Sequence, residues 1–289
     1  VFDMPIAENA ILGTAVGAAL AGQRPIAEVM WADFLFVAFD QLVNQAANVR
    51  YVTEGRASVP MVIRTQQGVT PGSCAQHSQS IEALLAHVPG LKVAVPSCPA
   101  DAYALLRAAA ADPDPCVVIE SRSLYQTKGL VETTDHAEPV GRARLRRAGA
   151  DALLVSWGAM VSRCLEAAEH LHGEGIDAGV LDLRWLAPLD EVELMSATRA
   201  ASGRVVIVHE AVRTCGFGAE IVARLVESVR HVSPLSVRRV ATPDVRIPAA
   251  LPLQLALVPS VSRIIQAVRE VIAEAADELL ADLQDRSVQ

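Results

Sequence analysis

Aromatic residues are scarce in this chain, only 4% of its 289 residues, and no extended block of Lys and Arg occurs along it. The second absence removes any surface that could track a phosphate backbone, and nucleic acid with it. Long hydrophobic runs are missing too. The longest small-apolar stretch, Ala10 to Gly22, falls well short of the ~20 residues a membrane helix needs. Asp3 and Glu8 precede it instead of basic residues, which makes a poor secretory signal. No membrane is expected as partner. The five cysteines (Cys74, Cys98, Cys116, Cys164 and Cys215) are odd in number and show no CxxC spacing. That argues against structural zinc or a disulfide framework and for a reducing, cytoplasmic setting. There is no GxSxG elbow, no HExxH helix and no Walker loop. The glycine cluster Cys215-Gly-Phe-Gly218 lacks the third glycine of a dinucleotide fingerprint.

What is present is apolar and small. Hydrophobic residues make up 52% of the chain, above the usual share for a soluble domain, against a net charge of −8. Ala and Val carry the excess, so tightly packed cores and a large subunit interface are expected. Strand-length apolar runs alternate with helical periods throughout. Strands are predicted at 25–30, 59–63, 91–96 and 116–120, with a helix beginning at Asp33 as N-cap and another capped by Ser97 with Pro99 in its first turn. Val1–Met4 reads like the end of a buried strand. A polar stretch then interrupts the pattern, and a second alternation follows: strands at 151–156, 176–182, 204–208 and 235–240, with helices at 159–172, 189–201, 217–230 and from about 260. Strands joined by crossover helices imply parallel sheets. The fold class is α/β with two doubly wound domains, at 1–125 and 147–289, joined by a linker at 126–146. The second ends in a charged helical tail.

Ligands of open parallel sheets bind beyond the carboxyl ends of the strands. Three residues of the first domain stand out there. Glu8 precedes an almost wholly small and apolar segment, where Gly13 and Gly17 permit close backbone approach. A lone glutamate near a helix start is ordinarily explained by the macrodipole; against such a surface, desolvation would raise its proton affinity. Phe34, at the mouth of a helix apolar nearly all round, suits packing on a flat heterocycle, though a Phe at helical spacing is ordinarily core. His77 closes the long loop TQQGVTPGSCAQHSQS, and loops of that length in compact domains tend to be functional. Cys74 lies three residues from it, but nothing nearby argues for a lowered thiol pKa.

These motifs form a set. PIAENAILGTAVGAALAGQRPIAEVMWADF, AQHSQS, HVPGLKVAVPSCPADA, LDLRWLAPLD and VHEAVRTCGFGAEI together resemble the beta subunit of the first component of 2-oxo acid dehydrogenase complexes. That group includes the pyruvate, branched-chain 2-oxo acid and acetoin enzymes. The resemblance covers almost the whole chain in the right order. It implies a transketolase-like pyrimidine-binding domain followed by a transketolase C-terminal-like domain. It also implies oxidative decarboxylation of a 2-oxo acid with acyl transfer to lipoyl, in an α2β2 heterotetramer with a dihydrolipoyl acyltransferase core. Thiamine diphosphate is shared with an alpha subunit, whose Gly-Asp-Gly motif holds Mg2+ and the diphosphate; no Gly-Asp-Gly followed by a distant Asn occurs here. By the resemblance, Glu8 hydrogen-bonds the pyrimidine ring and exchanges a proton with it. Phe34 packs on that ring, Trp31 stands beside it, and His77 assists proton movement and acylation of lipoyl at the site mouth. Backbone carbonyls at Met61, Val62, Ala109 and Asp112 match a site for a monovalent cation such as K+.

The chain departs from the family in three places. The family's N-terminal segment, with the glutamate of its GE(D/E)VG motif, is missing in front of Val1. The loop TQQGVTPGSC differs from the RxPxG type, and the tail extends past the usual end. Two alternatives therefore stand beside the leading reading: a two-component thiamine enzyme with a non-lipoyl acceptor, and a non-catalytic assembly module of the same fold.

Overall fold

The computed structural model describes residues 1–229 and 235–287, with side chains through Ser228 and again from Leu235 to Ala275. Its regular elements run α1 (Glu8–Leu20), β1 (Ile26–Trp31), α2 (Val49–Val52), β2 (Val62–Gln67), α3 (Glu82–Ala86), β3 (Lys92–Ala94), α4 (Pro99–Ala111) and β4 (Cys116–Ser121). They continue with β5 (Arg144–Arg147), β6 (Ala152–Ser156), α5 (Met160–Gly173), β7 (Ala178–Asp182), β8 (Trp185–Ala187), α6 (Glu191–Ala200) and β9 (Arg204–Val212). Last come α7 (Phe217–Val229), β10 (Ser236–Thr242), α8 (Leu251–Leu257) and α9 (Val261–Ser287).

The chain divides into two compact units. The first holds residues 1–142, 184–189 and 246–254 and is built on a sheet of order β1-β2-β4-β3-β8. Its first four strands are parallel, and β8 closes the edge antiparallel to β3. The second holds 143–183, 190–245 and 255–289, on a sheet of order β10-β9-β6-β7-β5, in which β5 alone is antiparallel. Both sheets are thus doubly wound and mostly parallel, as expected. The antiparallel edges were not.

β8 reaches the first unit for a physical reason. Trp185 is fully buried among Val62, Leu105, Cys116 and Val118, an aromatic payload that dominates a core otherwise made of small side chains. Arg184, just before it, is buried as well. Its Nε donates to Asp101 at 3.0 Å and its Nη2 to Glu138 at 2.6 Å. Ser97 Oγ supplies the other Asp101 oxygen at 3.1 Å. A buried pair of this kind tolerates desolvation only when its remaining hydrogen-bonding capacity is met.

Several local expectations are corrected. Residues 1–7 form no strand and are exposed. The helix expected from Asp33 is a tight 3-10 segment, Ala32–Ala38, followed by a wide π turn, Gln41–Ala46. Asp33 lies inside the first of these and is no N-cap. The N-cap position of α4 falls at Cys98, one residue past Ser97, whose hydroxyl donates to Asp101. β2 starts three residues later than expected and carries the buried polar run Thr65-Gln66-Gln67, whose amides need tertiary partners that a sequence pattern does not display. β5 and α8 were not anticipated. Leu251–Ala275 is long and apolar enough to cross a membrane by length and composition. Its helical hydrogen bonding breaks at 258–260, and Ile264, Val268 and Val271 are buried in the second unit, which uses that apolar face as core.

Candidate active site

β1 and β2 pair in parallel from Ile26↔Val62 to Trp31↔Gln66, so their carboxyl ends leave the sheet side by side. β1 ends at Trp31 and passes straight into the tight helical segment bearing Asp33 and Phe34. β2 ends at Gln67, where the loop 68–80 begins. That loop is pinned at its base: Gln67 Nε2 donates to the buried Glu82 at 3.0 Å, and Ile81 N–H donates to Gln67 Oε1 at 3.2 Å. Both ends of the loop are therefore tied to one buried amide.

The loop returns His77 to the end of β1. Its imidazole lies edge-on to Trp31, with centroids 5.0 Å apart, and to Phe34, at 5.6 Å, with interplanar angles of 68° and 85°. Edge-to-face contact is the favoured geometry for such rings, and all three residues are half-buried. Trp31, Phe34 and His77, singled out separately in the sequence, form one cluster. Cys74 plays no part as a partner of His77; its thiol donates to Gln76 Oε1 at 2.8 Å. Cys116 and Cys164 are inert by burial, which pushes each thiol up to about 12.

Glu8 is the first residue of α1 and is half-buried between exposed neighbours. α1 packs on the 3-10 and π segments that follow β1. Within this chain the close backbone approach expected at Gly13 and Gly17 is absent. A Cβ at Gly13 would come nearest to the Gln41 side chain, at an ordinary 3.5 Å, and one at Gly17 would meet nothing within 4 Å.

The four carbonyl positions lie in the first unit near the sheet's amino end. Met61 O accepts from Cys116 N–H at 3.0 Å, and Ala109 O from Asp112 N–H at 3.3 Å. Asp112 O accepts from Arg24 Nη1 at 3.0 Å, and the same nitrogen reaches Ala110 O at 2.9 Å. Val62 stands at the start of β2. The Asp112 carboxylate is held by Lys92 Nζ at 2.6 and 2.7 Å.

Sequence reasoning missed the buried Gln67–Glu82 pair and a contact between Asp33 and Gln79. Asp33 Oδ1 accepts from Gln79 Nε2 at 3.1 Å and from its backbone N–H at 3.4 Å, while Arg246 Nη1 donates to Gln79 Oε1 at 3.1 Å. Asp33 had looked like a helix cap, and Arg246 is too distant in sequence to suggest a partner.

Two mostly parallel sheets, the first with an aromatic cluster at its strand ends, define a class. Residues 1–128 match the pyrimidine-binding domain of transketolase, and residues 141–264 match the transketolase C-terminal domain. The split gene transketolase, an inactive beta4 tetramer, is structurally similar with a TM-score of 0.78 at 27% identity, covering 94% of this chain and 83% of that one. The molecule is a transketolase-like α/β protein.

Relatives narrow it further. The beta subunit of acetoin:2,6-dichlorophenolindophenol oxidoreductase from Cupriavidus necator is 40% identical over 270 residues, 93% of this chain and 80% of its own. The 3-methyl-2-oxobutanoate dehydrogenase beta subunit of Mycobacterium tuberculosis is 38% identical, covering 94% and 78%. The pyruvate dehydrogenase E1 beta subunit of Rhizobium meliloti is 37% identical, covering 94% and 59%. The chain belongs to the transketolase-like family of 2-oxo acid dehydrogenase beta subunits, a thiamine-diphosphate-dependent group whose beta chains work with alpha chains.

Proposed function

We propose that this chain is the beta half of a two-chain 2-oxo acid dehydrogenase that decarboxylates its substrate and passes the acyl group to lipoyl. The observation that carries the reading is the convergence of Trp31, Phe34 and His77 at neighbouring strand ends. An aromatic cluster of this kind suits a flat heterocycle such as a pyrimidine. Bound there, thiamine diphosphate supplies the electron sink for decarboxylation.

In this reading Glu8 holds a proton at a pyrimidine ring nitrogen. Phe34 and Trp31 fix the plane of that ring and exclude water from one side of it. His77 moves a proton through an imidazole nitrogen at the mouth, where the lipoyl arm enters. The alpha partner brings the Gly-Asp-Gly motif, Mg2+ and the diphosphate contacts, in an α2β2 assembly served by a dihydrolipoyl acyltransferase core in the cytoplasm. A K+ ion at Met61, Val62, Ala109 and Asp112 would share carbonyls of which those of Met61, Ala109 and Asp112 already accept hydrogen bonds. Its binding is expected to raise the midpoint of heat unfolding in KCl over NaCl, and equal midpoints would remove the ion from the account.

Acetoin is the second substrate to test, because relatives of up to 40% identity carry that name. The deciding experiment is turnover by this chain co-expressed with its alpha partner, with thiamine diphosphate and magnesium, on pyruvate, branched 2-oxo acids and acetoin. Activity that needs both chains supports the half-site. A stable heteromer that never binds cofactor would make the chain an assembly module, and turnover without acylation of lipoyl would make it a two-component enzyme with another acceptor.

A further inference from the structure

We propose that Asp33 and Gln79 form a positioning pair that sets the His77 imidazole against Trp31 and Phe34; the inference rests on the role given to His77 above. The two segments interlock residue by residue. Trp31 and Phe34 flank Asp33 in the sequence, and both rings touch His77. Asp33, between them, takes two hydrogen bonds from Gln79, two residues beyond His77. One tetrapeptide, Trp31-Ala32-Asp33-Phe34, thus grips the loop through its aromatic edges at one point and through a carboxylate at another. Two attachments two residues apart fix the intervening backbone in translation and in rotation, which aromatic contact alone does not do.

The chemistry of the pair supports a dedicated role. Asp33 is 8% exposed, and its Oδ2 is buried with no hydrogen-bond partner. A carboxylate kept in such a place is costly; an apolar residue there would carry no such penalty. The Gln79 amide nitrogen donates to Asp33 while its oxygen accepts from Arg246. That second bond fixes which way the amide points. The base of the loop is tied separately by Gln67 and Glu82, so losing the Asp33 contact frees the His77 end while leaving the loop's anchorage intact.

The test uses the assembled alpha–beta enzyme with Asp33→Ala, Asp33→Asn, Gln79→Ala, His77→Ala and the double variant His77→Ala/Gln79→Ala. Hydrogen exchange of the 68–80 peptide is measured alongside the two half-reactions, decarboxylation with a dye acceptor and acylation of lipoyl. Both tether alanine variants are expected to exchange faster in 68–80 and to lose about tenfold in acylation, the scale of one charge-assisted hydrogen bond. Decarboxylation by Gln79→Ala should stay within about twofold, since that side chain lies outside the segment assigned to the pyrimidine. Asp33→Asn, which keeps an oxygen acceptor, should recover most of the acylation, and the double variant should be no worse than His77→Ala. Exchange in 68–80 at the wild-type rate in both alanine variants would overturn the pair. Faster exchange with His77→Ala equally poor in both half-reactions would uphold the pair and sink the assigned role of His77 instead.

Discussion

At the residue scale, the proposed chemistry turns on a few side chains whose types stand out in the sequence but whose neighbours do not. Glu8 opens α1 and is the catalytic candidate with a carboxylate to offer the cofactor ring. Glu8→Ala is expected to cut decarboxylation by about a hundredfold or more, the usual weight of a proton-transfer group, while the heteromer still assembles on a sizing column. Normal turnover by that variant would remove Glu8 from the mechanism. His77 sits farther out, edge-on to two rings. His77→Ala is expected to depress acylation of lipoyl more than decarboxylation, measured as separate half-reactions. Equal losses would give His77 a more general part. Both candidates stand out in the sequence because each lies in a motif of unusual composition. Asp33 and Gln79 do not, because an Asp before a helical period and a Gln in a polar loop have common local explanations.

At the element scale, the unexpected strand β8 decides how the first unit is completed. Three residues, Trp185–Ala187, close the sheet edge beside β3. The stretch is too short and too mixed to read as a strand, and the chain before it had just finished β7 of the other unit. Its weight is concentrated in Trp185, which is fully buried. Trp185→Ala is expected to destabilise the first unit by roughly 3–5 kcal/mol through lost burial and the cavity left behind, read by denaturant unfolding. A loss below about 1 kcal/mol would mean that the Arg184–Asp101 pair, not the indole, holds β8 in place. The 3-10 and π segments after β1 are a second case. Their apolar positions fit an ordinary helix by spacing, yet the chain tightens and then widens, and Asp33 is drawn into the tight part by Gln79.

At the scale of the whole molecule, pH sensitivity should come from His209, a residue outside the proposed site. It ends fully buried on β9, stacked on Trp157 with centroids 5.5 Å apart and planes 7° from parallel. Side chains at Gly216 or Gly218 would drive a Cβ to 2.7 or 2.6 Å from its ring, so the glycines of the VHEAVRTCGFGAEI motif make room for an imidazole. Burial, with the charge of Arg239 adding and the Ala211 backbone opposing, lowers its pKa from 6.5 to about 4. Between those values the unfolded chain takes up a proton that the folded chain refuses. Stability therefore rises with pH through that window and is lost as pH falls, by roughly 3 kcal/mol over the whole of it. Unfolding free energies measured from pH 7 to 4 should show this slope, and His209→Phe should flatten it. An unchanged slope in that variant would assign acid lability to other groups.

The sequence by itself determined the alternation of apolar runs and helical periods, and hence two mostly parallel sheets, because strand and helix periodicities are local and survive without tertiary knowledge. It also placed Trp31, Phe34 and the loop that carries His77 at strand ends, since parallel sheets open their ligand side at the carboxyl edge, whereas the strand expected in front of Glu8 is not formed. Only the tertiary structure decided that residues 184–189 return to the first unit, that Gln67 and Glu82 close the loop, and that Asp33 meets Gln79. Each of these joins residues far apart in the chain through a buried polar or aromatic contact. Such a contact leaves no period in the sequence, because its energy depends on a partner that only folding brings within reach.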